Sequence, residues 1–256
     1  MRLLIVGGGR MGEALLGGLL NAGWDGLGVV EKIGDRRAEL EARFPSVEVL
    51  GDVAPADAAV VAVKPNDVRA ACEALAGTKR VLSIAAGVPI AALEDALGAG
   101  TAVVRAMPNT PALVGAGAAA IAGGTAAGED DLAWAESVLG AVGQVVRVPE
   151  HLLDAVTGLS GSGPAYVFLV AEALIDAGVL NGLPRDVSVA LATQTLLGAA
   201  RLLVETGETP EVLRAQVTSP GGTTAAGLHA LESAGVRAAI QDAVTAATRR
   251  SRELGS

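Results

Sequence analysis

Cysteine occurs once in this chain, at Cys72, which excludes a disulfide framework, the paired spacing of a zinc site and a redox couple. Aromatic residues make up only 2% of the sequence. A core must therefore be assembled from Ala, Val, Leu and Ile, and helices built of such small side chains have to approach closely and share surface with another subunit. Lysine is as scarce: Lys32, Lys64 and Lys79 are the only ones. With a net charge of −9 there is no basic stripe to neutralise phosphates, so nucleic acid is not expected as a partner. Anionic ligands would need local potential from backbone amides and a few arginines.

Long apolar runs are interrupted as well. The longest stretch without charge, Ala106 to Gly128, contains Pro108, Asn109, Pro111 and five glycines, and would not hold a continuous membrane helix. The opening Met1–Gly7 is too short an apolar run for a signal peptide and leads directly into glycines. The expected location is cytoplasmic, with no membrane partner. Disorder is excluded by a hydrophobic content of 51% against 18% charged residues.

What the sequence does contain is a change of pattern partway along. Short β-rich runs occur at Leu3–Val6, Leu27–Glu31, Val47–Leu50, Ala58–Val63, Val81–Ile84, Ala102–Arg105, Ala116–Ile121 and Gln144–Val148. Helical periods lie between them, at Met11–Asn21, Asp35–Phe44, Asn66–Leu75, Ile90–Leu97 and Glu129–Leu139. This alternation indicates parallel βαβ units. After Val148 no good strand remains. Helical runs follow at Pro164–Ala177, Pro184–Thr206 and Pro210–Val217, with two more between Thr223 and Glu253. The leading prolines suit a first helical turn, where a missing N–H costs nothing. The expected fold is an α/β Rossmann-type parallel sheet domain over residues 1–149, followed by an all-α domain over 150–256.

Gly7-Gly8-Gly9-Arg10-Met11-Gly12 gives the spacing G-x-G-x-x-G directly after the first strand and before a helix. Such glycines allow a tight turn, close approach of backbone to a pyrophosphate, and helix-on-strand packing. Gly7, Gly9, Arg10, Met11 and Gly12 are thus candidates to surround a dinucleotide. Glu31 ends the second strand nineteen residues after Gly12, where a carboxylate can hold a ribose 2′-hydroxyl. Lys32, Arg36 and Arg37 follow; they either take a 2′-phosphate or form the solvated first turn of a helix. Lys64-Pro65 ends the Ala58–Val63 strand, either as a ligand contact or as a strand stop. Ser83–Gly87 and Arg105–Pro111 carry small or rigid polar sequences at further strand ends.

In the helical half, Ser219-Pro220-Gly221-Gly222-Thr223-Thr224 puts glycines and hydroxyls where a helix begins. Free N–H groups there can cradle a carboxylate or phosphate. Alternatively the segment is a capped interhelical turn, with Ser219 or Thr223 as cap.

These residues, together with Leu231-Glu232 and Gly235-Val236-Arg237, resemble the signature of the pyrroline-5-carboxylate reductase family. So do Thr157–Tyr166, Glu172-Ala173, Asp176–Gly178, Gln194-Thr195 and Arg250–Leu254, and in the first half Ala62–Pro65, Ala85–Gly87 and Arg105–Pro111. The resemblance runs essentially end to end. It implies reduction of the ring imine of 1-pyrroline-5-carboxylate to proline, in proline biosynthesis, by NADPH, with NADH also possible because Glu31 departs from a firm NADPH pattern. By the same resemblance Ala62, Lys64, Pro65, Ala85, Ala86 and Gly87 line the nicotinamide side and Asn109 lies close to it. Ser219, Gly221, Gly222, Thr223 and Thr224 hold the substrate, with Thr224 bonding the ring nitrogen, and the chains form homodimers that can build decamers.

The chemistry fits what is missing. Carbonyl reduction needs a positioned proton donor, usually Lys, His or Tyr; the helical half has no lysine. His151, His229 and Tyr166 are expected on helix surfaces or in packing. A ring imine can arrive already protonated, and its carbon then accepts hydride without a strong acid. A β-hydroxyacid dehydrogenase, which relies on a lysine in its helical domain, and a non-catalytic NAD(P) sensor, which needs no carboxylate cradle, are the rival readings. No metal is expected.

Overall fold

Leu3-Leu4-Ile5-Val6 is buried at every position, as a strand covered on both faces must be. The computed structural model, which describes residues 1–255, sets it as β1 inside an eight-stranded sheet. The other strands are β2 (Leu27–Val30), β3 (Glu48–Leu50), β4 (Ala58–Val61), β5 (Arg80–Ser83), β6 (Ala102–Met107), β7 (Gly117–Gly123) and β8 (Gly143–Arg147), in the order β3-β2-β1-β4-β5-β6-β7-β8. The helices of this part are α1 (Arg10–Asn21), α2 (Gly34–Arg43), α3 (Val68–Ala74), α4 (Ile90–Leu97), α5 (Glu129–Gly140) and the short α6 (Leu153–Val156).

Alternation along the strands divides the core into two layers. Leu3, Ile5, Val29, Val60, Leu82 and Val104 face one side with Leu15, Leu16 and Leu19 of α1 and Trp134 and Val138 of α5. Leu4, Val6, Val30, Val61, Val81 and Val103 face the other with Cys72 of α3 and Ile90, Leu93 and Leu97 of α4. Each fully buried Leu or Ile contributes about 1.5–3 kcal/mol of transfer free energy, so this sheet has ample core of its own.

The expectation of a parallel sheet holds for every pair but one: β7 runs antiparallel to β6. Only residues 108–116 join them, a rigid segment with Pro108 and Pro111 that forms a 3₁₀ turn at Thr110–Val114. A parallel return needs a crossover of a dozen or more residues, and this connection is too short. The strand comes back alongside its predecessor instead.

Beyond Ser162 the chain is helical: α7 (Gly163–Leu180), α8 (Arg185–Thr206), α9 (Pro210–Gln216), α10 (Thr223–Ser233) and α11 (Val236–Leu254). Of the three leading prolines, only Pro210 occupies the first helical position; Pro164 is the second residue of α7 and Pro184 precedes α8 as its cap. The chain forms two compact units, one of residues 1–162 together with the chain from Val244 onward, the other Gly163–Ala243. The division in packing therefore falls later than the change of composition at Pro149, and the last turns of α11 belong with the sheet. Ser251 Oγ donates to Asp154 Oδ1 at 2.6 Å, and a side chain at Gly158 would strike Thr248.

Within Gly163–Ala243, α7 and α8 pack closely where Gly178 meets Ser188, whose hydroxyl donates to the Ile175 carbonyl at 2.7 Å. No residue of α7 is buried, and of α8 only Ser188 and Ala192 are. By length and composition Glu150–Leu180 and Arg185–Thr206 could each cross a membrane, a test that apolar helices covered by protein also pass.

Candidate active site

The order of the sheet reverses between β1 and β4, and ligands of such sheets sit outside the carboxyl ends of the strands at that point. A cavity of about 530 Å³ opens there. It is lined by Gly7 and Gly9 after β1, Glu31 and Lys32 after β2, and Ala62 and Lys64 after β4. The structure thus brings six of the sequence candidates together. It also adds Asp52, from the turn after β3, which the strand-end rule alone would have flagged.

The glycine loop has the shape a pyrophosphate requires. Gly7 adopts φ +114°, and a Cβ there would lie 2.6 Å from the Ala62 carbonyl oxygen. A Cβ on Gly12 would collide with the Gly7 carbonyl, so the third glycine is needed for α1 to pack against the loop. At Gly9, by contrast, the added Cβ would meet nothing within 4 Å. That open side is the start of α1, where Gly9 is the cap residue and no side chain bonds the first N–H groups. Donors and helix dipole together make a seat for an anion. The residues present fit a dinucleotide.

Glu31 does more than close the second strand. Its Oε2 accepts from the Gly8 N–H at 3.2 Å and its Oε1 from the Ile33 N–H at 2.9 Å. The carboxylate therefore ties the glycine loop to the turn after β2.

Arg36 is placed differently from the expectation. It does not line the cavity; its guanidinium bonds Glu13, Glu39 at 2.8 Å and the Gly8 carbonyl at 3.0 Å. Glu13 sits in the first turn of α1, where its charge would oppose a bound phosphate, and Arg36 and Arg43 neutralise it. Arg37 is likewise occupied, donating to the carbonyls of Glu31 and Lys32 at 2.9 Å each. Among the described residues that line this cavity, Lys32 and Lys64 are the cations, and neither makes an ion pair. Arg10, Met11 and Pro65 lie next to lining residues without lining the cavity themselves.

Ala85, Ala86 and Gly87 follow β5 at the same edge of the sheet, with Gly87 at φ +77°. Asn109, expected beside a coenzyme, is buried with its amide engaged at both ends. Its Nδ2 donates to the Ser160 carbonyl at 3.0 Å and its Oδ1 accepts from the Ala118 N–H at 2.8 Å. It braces the strand-end loop against the π-helical turn Thr157–Gly161.

The turn in the helical region is built as an open cradle. Gly222, not Ser219 or Thr223, is the cap residue of α10, and no side chain bonds the first N–H groups of the helix. Gly221 takes φ +70°, and a Cβ on Gly222 would strike the Ser219 hydroxyl. Gly221 is required by its backbone angle, a side chain at Gly222 would displace the Ser219 hydroxyl, and neither Ser219 nor Thr223 caps the helix. Thr224 is the second residue of α10 and is half-buried.

Other candidate groups are spent or remote. Burial pushes the Cys72 thiol up to about 11, so at neutral pH it is a packed, uncharged side chain. His151 and His229 are exposed. The Tyr166 hydroxyl reaches the Ala243 carbonyl at 3.5 Å.

Comparison with known proteins agrees with this layout. Residues 150–254 match the family described as pyrroline-5-carboxylate reductase dimerisation, and residues 2–87 match NADP oxidoreductase, coenzyme F420-dependent. The chain is 45% identical to a pyrroline-5-carboxylate reductase from Methanosarcina acetivorans, over 98% of this chain and 96% of the relative. A solved pyrroline-5-carboxylate reductase from Coxiella burnetii superposes with a TM-score of 0.94 at 37% identity, over 100% of this chain and 98% of that one. The Plasmodium falciparum pyrroline carboxylate reductase with NADP bound gives 0.85 at 30% identity, again over 100% and 98%. The chain belongs to the pyrroline-5-carboxylate reductase family.

Proposed function

We propose that this chain reduces the ring imine of 1-pyrroline-5-carboxylate to proline with NAD(P)H, completing proline biosynthesis in the cytoplasm. Residues 1–149 hold the coenzyme; residues 150–256 hold the substrate and a second copy of the chain. End-to-end kinship with reductases of that name carries the reading, in a chain that keeps both an open glycine loop and an uncapped cradle.

The coenzyme, when bound, supplies the hydride. Gly7, Gly9 and the first N–H groups of α1 hold its pyrophosphate, and Gly12 lets the helix come close enough to do so. Lys32, the lining cation after β2, is placed for a 2′-phosphate, which favours NADPH; its neighbour Glu31 opposes that phosphate and leaves NADH usable. Ala62, Lys64 and the Ala85–Gly87 segment lie along the nicotinamide side.

The Ser219–Thr224 turn takes the substrate carboxylate on its free N–H groups and hydroxyls. Thr224 Oγ1 accepts a hydrogen bond from the protonated ring nitrogen and so orients the imine carbon. No strong general acid is required, because the proton arrives with the substrate. Positioning of donor against acceptor then supplies most of the rate.

The exposed apolar surface of α7 and α8 supports a homodimer rather than a membrane contact, and dimers of this kind can assemble further into decamers. Mixing the protein with NADPH and pyrroline-5-carboxylate should consume nicotinamide absorbance, and no consumption with either coenzyme overturns the reading. Thr224→Ala should lower kcat/KM roughly ten- to a hundredfold. An unchanged turnover and substrate constant would remove Thr224 from the mechanism.

A further inference from the structure

Glu150 stands outside every site described so far, yet one of its oxygens does two tasks. Oε1 accepts from the Ile90 N–H at 2.7 Å and from Arg105 Nη1 at 2.9 Å. Ile90 is the first residue of α4, and its cap residue, Pro89, has no side chain that could accept a bond. Glu150, sixty residues away, serves as that acceptor. Arg105 lies on β6 in register with Ser83, from which the chain leaves β5 towards Ala85–Gly87. Ser83 Oγ in turn accepts from the Ala85 N–H at 3.4 Å.

The segment Ala85–Gly87 is therefore held at both ends, by the sheet through Ser83 and by Glu150 through Ile90. Its outer side is confined too. A Cβ on Gly87 would lie 3.6 Å from the Leu254 carbonyl oxygen, and one on Gly255 would lie 3.0 Å from that of Gly87. The end of α11 is fastened in place by the bond from Ser251 to Asp154, four residues after Glu150. Two carboxylates of one short stretch thus fix what lies on either side of the segment. The Arg105 side chain is only 13% exposed, so its donor needs an acceptor here.

We infer that Glu150 is a positioning residue for hydride transfer: acting through the Ile90 N–H and Arg105, it fixes the Ala85–Gly87 segment and hence the place of the nicotinamide ring. The inference rests on the reading, made above, that this segment lies along the nicotinamide side. A shift of the ring of about 1 Å is enough to cost up to roughly a hundredfold in rate. The adenine end of the coenzyme, seated between β1 and β2, should not notice.

The experiment compares wild type, Glu150→Ala and Glu150→Gln in three measurements. These are kcat at saturating NADPH, the dissociation constant of the adenine-half fragment 2′,5′-ADP, and hydrogen exchange of amides 84–91 with and without NADPH. Glu150→Ala should lose roughly ten- to a hundredfold in kcat while binding 2′,5′-ADP within about twofold of wild type. Glu150→Gln keeps an oxygen for both donors and should recover most of that loss. Amides 84–91 should be protected by NADPH in wild type and less so in Glu150→Ala. A kcat for Glu150→Ala close to wild type overturns the inference. So does a proportional loss of 2′,5′-ADP binding, because that is general damage. If Glu150→Ala does not fold, an equal loss in folded Glu150→Gln overturns it instead. Should the wild-type amides show no protection, the placement of the segment beside the coenzyme falls, and the role of Glu150 with it. Protection in wild type combined with undiminished turnover in Glu150→Ala removes Glu150 alone.

Discussion

The sheet unit and the helical unit of this chain are built on opposite terms. In the first, apolar side chains alternate strictly between two layers, and helices on both faces complete the burial within one chain. In the second, α7 runs for 18 residues without burying one. Phe168 is 62% exposed and Leu191 of α8 is 56% exposed. An apolar surface of that extent marks a place where another protein surface belongs. Small side chains such as Ala and Gly allow close helix approach but leave α7 and α8 with almost nothing buried in one chain. The sheet unit encloses its own apolar core, whereas the helices leave their apolar side chains exposed in one chain.

That contrast is broken most severely by a charge placed on the helices. Phe168→Asp and Leu191→Asp should each weaken self-association by about 5 kcal/mol or more if the face is buried between copies. Sedimentation equilibrium should then show monomer, with part of the helical signal lost in circular dichroism and that of the sheet unit, with its helices α1–α6, retained. Variants that stay dimeric would show that the face is not covered by a second copy. Next in size is Leu16→Ala in α1, where the side chain is fully buried in the sheet unit. It should cost about 3 kcal/mol, within the span usual for buried leucines. This loss should not change with protein concentration, while that of the helical variants should. A concentration-dependent loss at Leu16 would mean that the two units do not differ in the way described.

The same contrast explains what could be read from the residues alone. The Leu3–Val6 strand and the glycine loop after it are local features whose physical demands are written in a dozen consecutive positions. The change of character after Val148 is equally local. The direction of β7 is not, because its apolar pattern reads alike both ways and only the shortness of the 108–116 connection decides it. The return of α11 to the sheet unit depends on Ser251 meeting Asp154, ninety-seven positions apart. The two readings of Arg36, phosphate contact or solvated helical turn, stay open in the sequence because one of its partners, Glu13, lies on another helix, though Glu39 is only three residues on. Nothing near Glu150 in sequence names Ile90 or Arg105 as its partners. Side chains that answer a neighbour in sequence are legible; those that answer a neighbour in space are not.

The smallest expected effect sharpens the comparison inside the sheet unit, where residues after β1, β2 and β4 of one chain line the cavity. Lys32 and Arg36 are both cations after β2, but only Lys32 lines the cavity, and Arg36 is held by Glu13 and Glu39. Lys32→Ala should therefore reduce the preference for NADPH over NADH by about fivefold, the size of one charged hydrogen bond at a partly solvated site. Arg36→Met acts through Glu13, whose charge at the start of α1 would then be less well neutralised, and the pyrophosphate is common to both coenzymes. Its KM values for NADPH and NADH should rise together, with their ratio within about twofold of wild type. Steady-state kinetics with each coenzyme in turn separates the two cases. A ratio that moves in Arg36→Met and stays fixed in Lys32→Ala would transfer the 2′-phosphate from the lysine to the arginine. It would also mean that Arg36 lets go of Glu13 when coenzyme binds.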